Sequence, residues 1–195
     1  MKNKKNNVII LSGPSGVGKG TIERLLFDFE ELNLSMSCSV TTRKPRAGEI
    51  NSIHYYFMDK SIVQQMIKSR EFLEFSYHFG NYYGTLWSEL NKINQKGKVP
   101  ILEIETRGAS QVIEQLSKKE NEYNIISIFV LPPSINDLKE RIIKRGSEND
   151  ETIRSRLAKA EEEINESSFF KYRVVNDIPE RAADEIKNII LKEIN

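Results

Sequence analysis

Val8-Ile9-Ile10-Leu11-Ser12-Gly13-Pro14-Ser15-Gly16-Val17-Gly18-Lys19-Gly20-Thr21 sets the architecture of the chain. An apolar run leads into a glycine-rich turn ending in lysine, and apolar residues at helical spacing (Ile22, Leu25, Leu26, Phe29) follow. Strand, glycine turn and helix in that order are the context a phosphate-binding loop requires. Its backbone N–H groups form an anion-holding nest, the glycines admit phosphate oxygens close to the main chain, and the helix start turns its positive dipole end toward them. Lys19 then reaches the β and γ phosphates, which implies a nucleoside triphosphate. Gly13, Pro14, Ser15, Gly16, Val17, Gly18, Lys19, Gly20 and Thr21 are the expected triphosphate-binding residues. The strict pattern places Ser or Thr directly after the lysine, whereas here Gly20 stands there and Thr21 comes one residue later.

A chain of 195 residues holds one substantial domain with room for an inserted lobe. Charged residues make up 29% yet the net charge is only +1, so no overall field draws the protein to nucleic acid or membrane. No apolar run approaches spanning length and the N-terminus has no secretory segment. A single cysteine, Cys38, excludes an internal disulfide framework. A cytoplasmic protein, monomer or homodimer, is expected.

Beyond the first helix, Ser35 to Thr41 alternates, with Met36, Cys38 and Val40 facing one way and Ser37, Ser39 and Thr41 the other; one half-buried strand is predicted. The polar loop Thr42 to Glu49 carries Arg43 and Arg46, and a short strand is expected near His54 to Met58. A helix over 61–69 with Ser61 as its N-cap comes next. In the following strand Leu73, Phe75, Tyr77 and Phe79 form an apolar face opposite Glu74, Ser76 and His78, which places Glu74 on a polar face. A loop containing Tyr82 and Tyr83 leads to a helix over 87–95 closed by Gly97. Val99 to Ile104 and Ile125 to Leu131 are continuous apolar runs, as buried parallel strands require. Glu103 and Glu105 emerge at the carboxyl end of the first, where ligands sit in open α/β sheets. Helices over 108–116, 134–144 and about 153–164, a short strand over 173–176 and a terminal helix from Pro179 complete the pattern. The fold class is α/β, a P-loop nucleoside triphosphate hydrolase-like parallel sheet with helices on both faces. Residues 1–34 and 87–195 form its core and 35–86 an inserted lobe of short strands.

Several motifs in order resemble the guanylate kinase family: Gly13 to Lys19, Ser39 to Glu49, Glu71-Phe72-Leu73-Glu74, Gly80-Asn81-Tyr82-Tyr83-Gly84, Arg145-Gly146-Ser147 and Arg156-Leu157. The resemblance runs from Val8 to about Asp177. It implies an ATP:GMP phosphotransferase, with GMP and also dGMP as acceptors and Mg²⁺ accompanying ATP.

The resemblance makes the inserted lobe the GMP site. Guanine offers N1–H and N2–H₂ as donors and O6 as acceptor, which a carboxylate and a hydroxyl complement. Glu74 matches the carboxylate, Ser39 the hydroxyl and Thr85 a second hydroxyl. Arg43 and Arg46 match the arginines that grip the GMP phosphate, with Tyr55 and Tyr83 beside them, and Glu105 matches an acidic GMP contact. The resemblance also implies a mobile lid over about 141–157; Arg141, Arg145 and Arg156 match catalytic arginines of the hinge and lid, which act with Lys19 and Arg43, and Asn176 falls at an adenine-side position. Thr21 is a weak metal contact, the Mg²⁺ being held largely by phosphates and water. His54 and His78 have no cysteine or histidine at metal-ligand spacing and are assigned no chemistry.

Overall fold

The computed structural model describes residues 5–78, 80–119, 122–144 and 150–194. Strand β1 (Asn6–Ser12) is the centre of the molecule. Val8, Ile9, Ile10 and Leu11 are all fully buried, because their alternating side chains enter two separate cores. Ile9 and Leu11 join the cluster containing Ile22, Leu26, Ala183 and Ile186; Val8 and Ile10 join Leu90, Leu102, Val112 and Leu116. Helices α1 (Lys19–Phe27) and α7 (Pro179–Ile194) thus cover one face of the sheet. Helices α3 (Trp87–Gln95) and α4 (Thr106–Ser117) cover the other. The remaining strands of this sheet are β2 (Leu34–Met36), β7 (Val99–Glu103), β8 (Tyr123–Leu131) and β9 (Tyr172–Val175), in the order β2-β7-β1-β8-β9. All its pairings are parallel. The order reverses beside β1, so the carboxyl ends of β1 and β7 border the crevice where open α/β sheets bind ligands.

A second sheet, ordered β4-β3-β6-β5, comprises β3 (Val40–Thr41), β4 (Tyr56–Phe57), β5 (Phe72–His78) and β6 (Asn81–Leu86). Helix α2 (Lys60–Lys68) packs on it through Val63, against Val40, Phe72 and Leu86. Its N-cap is Asp59 rather than Ser61, and each end lies one position earlier than the expected 61–69 helix. Helices α5 (Ile135–Lys144) and α6 (Asp150–Glu166) flank the segment 145–149, and the middle of the lid expected over about 141–157, with Arg145 and part of its motif, falls there, outside the described residues.

Two expectations are corrected. The single strand over 35–41 is two strands in two sheets. Ser37 N–H donates to the Ile101 carbonyl at 3.0 Å, after which the chain leaves β7 and crosses to pair with β6. Ser35 and Met36 consequently belong to the five-stranded sheet, and Met36 is 37% exposed while Ser37 is buried. In β5 the burial also departs from simple alternation. A bulge between Phe72 and Glu74 buries Phe72, Leu73 and Glu74 in succession and leaves Phe75 and Tyr77 exposed. Glu74, expected on the polar face, is buried, and part of the expected apolar face is exposed. Among the described residues no helix is long and apolar enough to cross a membrane.

Candidate active site

The phosphate loop owes its shape to residues 13–18. Gly18 caps α1 in the left-handed region (φ 105°), and a Cβ there would meet the Asn176 amide at 2.4 Å. Glycine is required on both counts. Asn176, 1% exposed, donates from Nδ2 to the Val17 carbonyl at 2.7 Å. Arg141 donates to that same carbonyl at 3.1 Å and to the Asn176 carbonyl at 2.9 Å. The structure thus uses Arg141 and Asn176 to brace the loop from beneath, tying α5 and the end of β9 to it. Lys19 Nζ rests 2.6 Å from the Gly13 carbonyl and 3.8 Å from the Glu103 carboxylate at the end of β7. Gly20 is exposed and Thr21 half-buried on the first turn of α1.

A cavity of about 430 Å³ opens between this loop and the second sheet. Of the sequence-derived candidates, Gly13, Ser15, Lys19, Ser39, Arg43, Arg46, Tyr55, Glu74, Tyr83, Glu105 and Arg156 all line it. Pro14, Gly16, Val17, Gly18, Gly20, Thr21, Thr85, Arg141 and Asn176 lie outside its wall. Thr85 bonds Glu74 from outside the wall.

Glu74 is only 5% exposed. The Thr85 hydroxyl donates to its Oε1 at 2.8 Å. Its Oε2 sits against Gly108 of α4, where a Cβ would approach it to 2.8 Å. Burial raises the Glu74 pKa to about 7, with the Thr85 hydrogen bonds opposing and the charge of Glu105 adding to the rise. The site therefore holds a desolvated carboxyl at the back of a polar cavity, poised to accept hydrogen bonds from a ligand's N–H groups.

At the cavity's other side Glu49, which the sequence reading left without a role, organises the arginines. Arg43 makes two charge-assisted bonds to it, at 2.8 and 2.9 Å, and the backbone N–H of Arg46 donates to it at 2.6 Å. The bond from Arg43, then that from Arg46, lowers the Glu49 pKa to about 2. The guanidinium of Arg43 lies 5.5 Å from the Tyr55 ring centre, and Tyr55 meets Tyr83 edge-on at 6.3 Å. Arginine, two tyrosines and a bidentate carboxylate so form one preorganised anion-facing wall.

Further residues reach the cavity that the sequence reading did not select. His78 stacks on Tyr83 with centroids 4.4 Å apart and stands 3.9 Å from Glu105. Lys159 of α6 grips both Glu105 oxygens at 3.0 and 3.1 Å. Glu163, one turn further on, has its pKa raised to about 7 by burial despite Lys159 nearby. Off the cavity wall, Glu23, 8% exposed, stands one helical turn after Lys19; burial, then the adjacent Glu103, holds its pKa far above the ordinary range. The i to i+4 spacing of Lys19 and Glu23 was a readable signal. The approach of α6 to the N-cap of α4 was not, since it joins residues more than fifty positions apart.

The guanylate kinase family profile matches residues 5–193. The guanylate kinase of Mycoplasmopsis synoviae is 55% identical over 196 aligned residues, covering 100% of this chain and 99% of that protein. That of Bacillus cereus is 42% identical, covering 99% of this chain and 91% of the other. Among solved structures, the crystal structure of guanylate kinase from Anaplasma phagocytophilum superposes with a TM-score of 0.76 at 30% identity, covering 100% of this chain and 90% of that one. With the phosphate loop, the buried Glu74 and the arginine wall facing one cavity, these likenesses agree, and the chain belongs to the guanylate kinase family.

Proposed function

We propose that this chain transfers the γ-phosphoryl group of ATP to GMP, giving ADP and GDP, with dGMP accepted at the same site. The observation that carries the base choice is the buried Glu74 carboxyl, hydrogen-bonded to Thr85 and sharing a cavity with Ser39 and Lys19. Guanine N1–H and N2–H₂ donate to the ionised carboxylate, and a hydroxyl serves O6. Adenine has no N1–H and presents a donor where guanine has O6, leaving buried polar groups unpaired; a site of this kind discriminates by about 10⁴-fold.

Arg43, Arg46, Tyr55 and Tyr83 hold the acceptor phosphate, with the Arg43 fork presented by Glu49. No general base is needed, because a phosphate monoester with a second pKa of about 6 is already a nucleophilic dianion at neutral pH. Lys19 exchanges the Gly13 carbonyl for the phosphates of ATP. Arg156 adds positive charge from α6, and Arg141 keeps the loop in shape. The work of the protein is alignment, charge compensation and exclusion of water, which would otherwise take the phosphoryl group.

Mg²⁺ fits this chain. Mg²⁺ accompanying ATP would be held mainly by phosphates and water and needs no all-protein cage. Glu103 at the end of β7, beside Lys19, supplies negative charge there. When bound, the cation neutralises charge on the transferring group.

The test is ADP production from ATP with each nucleoside monophosphate in turn. Turnover with GMP and dGMP far above that with AMP, CMP or UMP is expected. GMP binding without turnover would instead mark a binding module.

A further inference from the structure

Three successive residues of β5 go to three different places. Phe72 joins the core of the second sheet, whereas Leu73, 2% exposed, enters the core of the five-stranded sheet in the cluster that contains Ala109 and Val112 of α4. Glu74 turns toward the cavity with its Oε2 against Gly108 of the same helix, where a Cβ would come to 2.8 Å.

The next residue is held from outside. β5 is the edge strand of its sheet, hydrogen-bonded to β6, so alternate backbone groups along it point away from the sheet. At Phe75 both are taken by one side chain: the Phe75 N–H donates to Gln111 Oε1 at 3.2 Å, and Gln111 Nε2 donates to the Phe75 carbonyl at 3.0 Å. A primary amide can do this because it carries a donor and an acceptor side by side. Gly108 and Gln111 are three positions apart on α4, hence on one face. A bulge disrupts the ladder of its own strand, and after it the direction of the Glu74 side chain depends on how the following peptide is held. Lysine or glutamate at 111 would serve the helix and its solubility equally well; pairing both backbone groups of one residue takes an amide.

We propose that Gln111 is a positioning residue for the acceptor base: by fixing the Phe75 backbone it aims the Glu74 carboxyl at two adjacent N–H donors together, and so sets the preference for a purine carrying a 2-amino group over one without it. Gln111 does not line the cavity, so it acts through Glu74. Gly108 supplies the seat and Gln111 the alignment. This inference rests on the reading of Glu74 as the group that recognises guanine.

The test measures KM and kcat of the full chain, with ATP and Mg²⁺, for GMP and for inosine monophosphate, whose base lacks the 2-amino group. The variant is Gln111→Met, which keeps the length of glutamine without the amide. Misplacing a positioned group by an ångström costs up to about 10²-fold. Gln111→Met is expected to raise KM for GMP about tenfold and KM for inosine monophosphate less than about threefold, with KM for ATP unchanged, so the preference for GMP narrows. In a Glu74→Gln background the same substitution is expected to change KM for GMP no further, as residues acting through one contact require. An unchanged preference in Gln111→Met overturns the proposal, and so does an equal loss with both nucleotides or an effect that persists undiminished in Glu74→Gln. If Gln111→Met does not fold, Gln111→Asn, one methylene too short to span both Phe75 groups, carries the same test on the same terms. Turnover without any preference for GMP in the unmodified protein overturns the reading of Glu74, and the proposal with it. Absence of turnover is a different result, one that overturns phosphoryl transfer; calorimetric affinities for the two nucleotides then decide the proposal by the same comparison.

Discussion

The folded-state pKa of Glu74, about 7, lies above the ordinary 4.5, so this one side chain holds a proton that the unfolded chain releases. The burial is harmless below about pH 4.5 and costs stability progressively up to about pH 7, on the order of 2–3 kcal/mol. Glu74→Gln is accordingly expected to stabilise the unliganded protein above neutral pH by that order in chemical denaturation, while weakening GMP by at least about a hundredfold. Because guanine requires the ionised carboxylate, GMP affinity falls as the pH drops below about 7. The acceptor phosphate, with its own pKa of about 6, contributes a similar slope; only the Glu74 part disappears in Glu74→Gln, which calorimetric titrations of both proteins would resolve. Glu49 calls for a different experiment. It touches Arg43 and the Arg46 backbone rather than the cavity, so Glu49→Gln should raise KM for GMP about tenfold and leave KM for ATP unchanged. An equal change in both would mean general loosening of the loop.

Between the two sheets, the crossing from β2 to β3 is the joint, and α3 holds it. Glu89, 7% exposed, accepts from the Cys38 N–H at 3.4 Å and from the Tyr56 hydroxyl at 3.0 Å. One carboxylate therefore ties α3 to the crossing and to β4. Glu89→Ala strands both donors and is expected to cost about 2 kcal/mol in denaturant melts, with hydrogen exchange accelerating first in residues 38–41 and 55–58. Uniform acceleration across β1 and β8 would contradict a local joint. The same element shows why its sequence misled. Alternation over 35–41 is real, but it spans a point where the chain changes sheets, and nothing local records that β7 ends its pairing at Ser37. Cys38 is buried, as the pattern implied, with burial raising its thiol pKa, so it packs and does not react.

Across the protein, the titrating groups with resolved carboxyl shifts fall into two sets. Glu23, Glu74 and Glu163 are raised by burial, whereas Glu31, Glu49, Glu114 and Glu193 are lowered, chiefly by hydrogen bonds to lysine or arginine. The raised set loses stability as pH rises from 4.5 toward 7 and beyond; the lowered set loses it as pH falls below 4.5. The unliganded protein is expected to melt at its highest temperature near pH 4.5–5.5, and saturating nucleotide should move that optimum upward. A stability maximum at pH 7–8 without ligand would show that the three buried acids are ionised at little cost.

Short-range periodicity and composition were enough to settle the core. The run Val8 to Leu11, the glycines ahead of Lys19, the helix over 87–95 and the apolar strands at 99 and 125 announce a parallel α/β core around a phosphate loop, since a strand buried on both faces and a glycine nest each leave a local signature. The remaining features came from packing. Glu74 faces inward because of a bulge, Asn176 braces a loop 159 residues away, Lys159 meets Glu105 across the cavity, and Glu23 shares its burial with Glu103. Each of these depends on which elements pack together. The energies that set them, burial of a carboxyl and the meeting of charges, exist only once distant parts of the chain have excluded water between them.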